Sequence, residues 1–188
     1  MNPVLLDFPE KIEGERIYLR PCKPGDGPMV HDAILASLEE LKPWMPFAHL
    51  NQTVDDTEGN LRKAQAEFIL RNDIRLYIMR KEDETFIGST GLHRIDWDIR
   101  KFEIGYWIDS RYAKKGYMTE AVDLLSRFAF IELDANRIEI RCEPTNVNSR
   151  RIPEKLGFTL EGILRKNSLN ATRTELRDTC IFAKLRED

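Results

Sequence analysis

The chain has 188 residues, 41% of them hydrophobic and 32% charged, with a formal net charge of −3. That length can bury a core without disulfides or a structural metal, and the mildly acidic balance speaks against broad attraction to nucleic acid or membrane surfaces. The start Met1-Asn2-Pro3-Val4-Leu5 lacks the basic residues and long apolar run of a signal peptide, and no stretch is apolar enough to span a bilayer, so a cytoplasmic protein is expected. Cys22, Cys142 and Cys180 are widely spaced and form no C-x-x-C pair, which fits reduced thiols and no metal centre.

Arg16-Ile17-Tyr18-Leu19-Arg20 alternates as a short strand does. After a turn-rich break from Pro21 to Pro28, Val30, Ile34, Leu38 and Leu41 fall at helical spacing and predict one amphipathic helix from Met29 to Leu41. Pro43-Trp44-Met45-Pro46-Phe47 sets large apolar groups among prolines, where neither a helix interior nor a central strand can run. Thr53 is positioned to cap a helix through Leu61, Ala64 and Phe68 to about Arg71. Leu76–Met79 and Phe86–Leu92, separated by the charged turn Lys81–Glu84, read as a hairpin. A strand Lys101–Ile108, a helix Tyr117–Leu133, a strand Arg137–Cys142, a short helix Ser149–Leu156 and strands Phe158–Leu164 and Arg177–Leu185 complete the chain. Strands broken by single helices, with no linker or repeat, predict an α/β fold and one domain over residues 1–188.

The most informative stretch runs from Ile104 to Ala121. An apolar strand enters the basic turn Ser110-Arg111-Tyr112-Ala113-Lys114-Lys115-Gly116 and passes directly into the helix. A helix start leaves backbone N–H groups unpaired and carries partial positive charge, so a diphosphate fits there, and Gly116 lets the backbone come close. Arg111, Lys114 and Lys115 add charge. The competing reading is a surface loop whose lysines meet only water. The pattern is neither a Walker P-loop nor a dinucleotide fingerprint.

Three segments together resemble the GNAT acetyltransferase superfamily, particularly its RimL/RimJ-like branch, which acetylates ribosomal-protein N-termini. They are Glu103-Ile104-Gly105-Tyr106-Trp107-Ile108, Lys115-Gly116-Tyr117-Met118-Thr119-Glu120-Ala121, and Asn146-Val147-Asn148-Ser149 continuing to Glu154-Lys155-Leu156-Gly157-Phe158. The resemblance implies a mixed central sheet of about seven strands, splayed at the acetyl-CoA site and flanked by helices. It implies acetyl-CoA as cosubstrate without a metal, its pyrophosphate on the N–H groups of Lys114, Lys115, Gly116, Tyr117, Met118 and Thr119, and its pantetheine arm along the strand end at Ile108. The implied acceptor is an amine, on a protein N-terminus or a small molecule such as an antibiotic, with a non-catalytic acyl-CoA-binding module as the alternative, and a homodimer is compatible with the family. Ala113 stands where the family usually has Gln or Arg, with Arg111 as the candidate replacement, and Lys114 stands where a glycine is common.

Aminolysis of a thioester needs a neutral amine, a polarised carbonyl and a proton for the departing thiolate. A protein α-amine, with a pKa of about 7.7–8.0, is partly neutral near pH 7, whereas a lysine at about 10.4 is not. Strand alternation sets Glu103, Gly105 and Trp107 on one face. Glu103 is the first candidate base, expected to be desolvated beside Trp107, with an ion-paired structural carboxylate as the alternative. Much of the superfamily protonates the thiolate from a tyrosine in the short helix, but Pro153 occupies that place here. Ser149 matches the serine of the RimL-like branch, or else caps its helix, and Asn146 is expected to bond the cofactor or the Ser149 loop. His93 is a weaker candidate at a strand end, and Cys142 is expected to pack in the core. Trp44, Met45 and Phe47 are expected to pack in the core, with the acceptor side that this region shapes in the family as the alternative.

Overall fold

The structure, a computed structural model, describes residues 2–188. One eight-stranded sheet has the order β1-β2-β3-β4-β5-β6-β8-β7. Its strands are β1 (Ile12–Glu13), β2 (Ile17–Pro21), β3 (Ile74–Arg80), β4 (Phe86–Asp96), β5 (Lys101–Ile108), β6 (Arg137–Cys142), β7 (Thr159–Leu169) and β8 (Leu176–Leu185). All neighbours are antiparallel except β5 and β6, which run parallel. The eighth strand, beyond the expected seven or so, is the two-residue β1.

Alternation in the central strands builds two cores. Ile17 and Leu19 of β2, Ile74, Leu76 and Ile78 of β3, and Phe102 and Ile104 of β5 point to one face. There they meet Met118, Ala121, Val122, Leu125 and Ala129 of α4 (Tyr117–Ile131). On the other face, Tyr18, Tyr77, Met79 and Phe86 pack against Val30 and Ala33 of α1 (Gly27–Ala36). Leu61 and Ala64 join them from α3 (Val54–Leu70). In the order of the chain, α2 (Leu38–Leu41) precedes α3, and α5 (Val147–Lys155) follows β6. Thr53 caps α3 as expected, in a reciprocal capping box with Asp56. No helix among the described residues is long and apolar enough to cross a membrane.

Two expectations need correction. The predicted helix Met29–Leu41 breaks at Ser37 into α1 and α2. Ser37 Oγ accepts the N–H of Ser110 at 2.8 Å, and the Ala36 carbonyl accepts the Ser110 hydroxyl at 3.0 Å. Tertiary bonds to the loop after β5 thus outcompete continuation of the helix. The predicted helix from Ser149 starts at Val147 instead, because Asn146 caps it: its Oδ1 accepts the Ser149 N–H at 3.1 Å. Ser149 is therefore inside the first turn and is not the cap.

Candidate active site

The parallel pair β5–β6 holds together only briefly. Lys101, Phe102 and Glu103 pair with Arg137, Ile138 and Glu139, and no further pairing follows. Meanwhile β5 stays paired to β4 as far as Gly88↔Ile108, and β6 to β8 as far as Cys142↔Cys180. The sheet therefore opens between Ile104–Ile108 and Ile140–Cys142, leaving peptide groups on the facing edges without a strand partner. Such groups demand hydrogen bonds from water or a ligand.

The loop leaving β5 leads straight to a second set of free donors. Lys114 and Gly116 both have left-handed backbone, with φ of 61° and 83°. The turn they make places Gly116 as the residue before α4. The N–H groups of Lys114, Lys115, Gly116, Tyr117, Met118 and Thr119 have no acceptor among the described residues, and the first is made by Glu120, whose N–H reaches the Gly116 carbonyl at 3.1 Å. Arg16, from before β2, holds this turn from behind. It bonds Glu120 through its Nε and its own N–H, both at 2.8 Å, and donates to the Lys115 carbonyl at 3.0 Å. Its guanidinium also lies over the Tyr117 ring.

Across the opening, β5 and α5 are tied by one residue pair. The Tyr106 hydroxyl donates to the Ser149 carbonyl at 2.9 Å, and Ser149 Oγ donates back to the Tyr106 oxygen at 3.2 Å. In an α-helix the Ser149 carbonyl would accept the N–H of residue 153. That residue is Pro153, which has none. The proline thus frees the carbonyl that seats the tyrosine. Burial raises the Tyr106 phenol above its ordinary range, so it stays protonated as a donor. Burial also pushes the Cys142 thiol up, to about 11, so Cys142 is a neutral, half-buried group at the end of β6.

On the other face of the sheet a cavity of about 280 Å³ lies between β3, β4 and β5 and helices α1 and α3. Val30, Ile34, Met45, Phe47 and Trp107 form apolar walls, and Asn60, Arg75, Thr90 and His93 add polar groups. Phe47 and Phe86 both tilt against Trp107, at centroid distances of 6.0 and 5.7 Å.

A splayed parallel pair and an acceptor-free helix start are the layout that the resemblance implies. Residues 16–159 match the family model of the acetyltransferase (GNAT) domain. The chain belongs to the GNAT acetyltransferase family. This acetyltransferase is 33% identical over 153 residues to YdaF of Bacillus subtilis (strain 168), which bears a provisional ribosomal N-acetyltransferase name, with 80% of this chain and 82% of that protein covered. It is 29% identical over 130 residues to the ribosomal-protein-serine acetyltransferase of Escherichia coli (strain K12), with 69% of each covered. Its fold superposes with a TM-score of 0.87, at 19% identity, on RimL, a ribosomal alpha-N-protein acetyltransferase solved with coenzyme A, covering 94% of this chain and 98% of that one.

Within this acetyltransferase Ile108 ends β5, the turn from Lys114 to Thr119 opens α4, and Ser149, in the turn capped by Asn146, is tied to β5 through Tyr106. Of Met118 only the N–H is free to bind, since its side chain is buried in the core. Arg111 is placed differently from expectation. Its guanidinium is spent on the fully buried Asp109, at 2.6 Å, and on Asp32 of α1, at 2.7 Å. It anchors the loop and is not a free charge waiting for a phosphate. Glu103 also departs from expectation. In place of desolvation beside Trp107, its carboxylate meets Arg94 at 2.9 Å and Arg141 at 3.3 Å, and it does not line the cavity. Its neighbour across the parallel pair is another acid, Glu139, so the arginines neutralise two adjacent carboxylates.

Sequence reasoning missed three contacts. Arg16 lies 99 residues from the carbonyl it holds, and nothing local announces such a contact. Tyr106 was visible only as an apolar strand residue, although Pro153 at the helical partner position of Ser149 was a usable signal. His93 was seen without its companion: Nδ1 lies 2.6 Å from Asp73 Oδ2, twenty residues earlier.

Proposed function

We propose that this acetyltransferase moves the acetyl group of acetyl-CoA onto the α-amine of a protein N-terminus, with a ribosomal protein as the acceptor. The observation that carries this reading is the unbroken run of acceptor-free N–H groups from Lys114 to Thr119 beside the unpaired edge of β5. A diphosphate at the helix start satisfies the first set, and the amides of a pantetheine arm satisfy the second in strand fashion. The names of the relatives support the acceptor. So does the cavity: about 280 Å³ takes in the first residue or two of a chain but little more.

In this scheme the peptide groups of β5 orient the thioester, and Ser149 supplies the proton that the departing sulfur needs. Tyr106, hydrogen-bonded to Ser149, keeps that hydroxyl at the opening. Asn146 fixes the first turn of α5 that carries it. Glu103, held by two guanidiniums, reaches the acceptor only through water, and its proposed part is to relay a proton or to shape the field at that rim.

A second reading has one observation in its favour. Arg75 lines the cavity with only Asn60 as a hydrogen-bond partner among the described residues, at 3.1 Å. An acceptor with its own carboxylate, such as a free amino acid, would satisfy it. Incubating the protein with acetyl-CoA and a pool of tetrapeptides bearing every residue at the first position, against the free amino acids, separates the two by mass spectrometry. Isothermal titration with acetyl-CoA runs alongside. Acetylation confined to amino acids would replace the first reading with the second, and no binding of acetyl-CoA at millimolar concentration in low salt would end both.

A further inference from the structure

His93 and Asp73 form a dyad that the scheme above does not use. Asp73 ends the turn before β3, and His93 lies on β4, so neither position is fixed by the other's local sequence. The imidazole lies over two residues that have no side chain. A Cβ on Gly105 would come within 2.9 Å of His93 Cδ2, and one on Gly91 within 3.0 Å of Nε2. Any larger residue at either position would displace the ring. The two glycines therefore seat it flat against the sheet, and Asp73 clamps it at Nδ1.

The clamp decides the chemistry. An ionised carboxylate only accepts, so Nδ1 must carry the hydrogen, and the neutral ring then presents a lone pair at Nε2. No protein group among the described residues bonds to Nε2. The ring lines the cavity together with Gly105 and Trp107 of β5, the strand whose other edge faces the opening. A base with a fixed tautomer, an open acceptor nitrogen and an orienting carboxylate is the arrangement general-base catalysis requires.

We infer that His93, held by Asp73, is the group that takes the proton from the acceptor's ammonium in the cavity. This rests on the acetyl-transfer reading. Of the ammonium's three protons, one passes to Nε2 and on to solvent. The freed nitrogen lone pair then forms the N–C bond to the thioester carbonyl, and the C–S bond breaks with its electron pair on sulfur. A second proton reaches that sulfur by way of Ser149, and the third stays on the amide. Asp73 is a positioning residue, acting through the imidazole.

Other charged or titratable groups face the same space. Arg75 and Tyr77 come from β3 and Tyr106 from β5, whereas α1 and α3 contribute Val30, Ile34, Thr57, Asn60 and Leu61, none of which titrates. Glu103 is the cross-strand neighbour of His93 and is already paired with Arg94 and Arg141. No carboxylate among the described residues lines the cavity beside His93, so the imidazole is the base its lining offers.

The test measures kcat/KM against pH with acetyl-CoA and the tetrapeptide pool for the wild type, His93→Gln, His93→Ala and Asp73→Asn. His93→Gln should lose about 100-fold or more in kcat together with the acidic limb of the profile, while acetyl-CoA affinity by titration calorimetry stays within about twofold. Free imidazole should restore part of the His93→Ala rate, which a merely structural histidine would not allow. In the protein without ligands, nitrogen NMR should show His93 protonated at Nδ1, and Asp73→Asn should lose that preference along with about tenfold or more in rate. If His93→Gln does not fold, Asp73→Asn carries the test. A wild type that binds acetyl-CoA and acetylates no peptide or amino acid sinks the acetyl-transfer reading. A working wild type beside a His93→Gln variant of near-normal rate, or one that keeps the acidic limb, sinks this inference alone.

Discussion

Pro153 and Tyr106 ought to be energetically coupled through one carbonyl. Tyr106→Phe removes the hydroxyl that donates to the Ser149 carbonyl at 2.9 Å and accepts from Ser149 Oγ at 3.2 Å. The carbonyl then faces a half-buried space with no donor, since Pro153 has no N–H to return to it. Leaving such a group unsatisfied costs about 1–3 kcal/mol. Pro153→Ala restores an N–H at the helical position and removes a proline from a helix interior. In that background Tyr106→Phe should cost about 1 kcal/mol less, because the carbonyl is already paired. The four proteins of this double-mutant cycle are compared by urea unfolding, with thiol release from acetyl-CoA followed in parallel. Independent sites add to within about 0.3–0.5 kcal/mol. A coupling energy inside that limit would refute the claim that the proline exists to free the carbonyl. Pro153→Ala alone should also slow thiol release, because the tyrosine then loses its fixed seat beside Ser149.

Other expectations follow from the same geometry. Gly116→Val puts a β-branched residue at a φ of 83°, a conformation costing at least about 1–2 kcal/mol outside glycine, and crowds the N–H groups. Acetyl-CoA affinity should fall about tenfold or more, and unchanged calorimetric binding would remove the diphosphate from this turn. Ser149→Ala should slow thiol release with little effect on acetyl-CoA affinity, and a wild-type rate would reduce Ser149 to a member of the α5 turn. For Glu139, burial favours the neutral acid, but Arg137 and Arg141 outweigh it and hold the carboxyl below its ordinary value. A lowered folded-state pKa gives stability that is present above the unfolded value, about 4.3, and is lost as pH falls through the folded one. The stability gap between wild type and Glu139→Gln should accordingly narrow on acidification below about pH 4, and a gap constant from pH 7 to pH 3 would contradict the ion-pair account.

What the sequence disclosed was whatever depends on neighbours along the chain. The alternation of Phe102, Glu103, Ile104 and Gly105, the stripe through Met118, Val122 and Leu125, and the cap at Thr53 are all short-range patterns, and each is present in the structure. The helix break at Ser37 was hidden because its cause, Ser110, lies 73 residues away. The same holds for charge. Arg111 read as an available charge, and Glu103 as a base or an ion-paired carboxylate, because the partners Asp32 and Arg141 lie far along the chain. His93 read as a lone histidine for want of Asp73. Periodicity identifies which face a side chain takes, but its ionic company is set by topology.

The brace supplied by Arg16 has a consequence for the chain as a unit. Every N–H of the proposed grip belongs to residues 114–119, yet the side chain that steadies the turn arrives from the connection between β1 and β2, at one edge of the sheet. A fragment begun just past that arginine would retain each donor and lose the strut behind them. The β1–β2 edge and the start of α4 therefore have to be assembled together before the turn is braced.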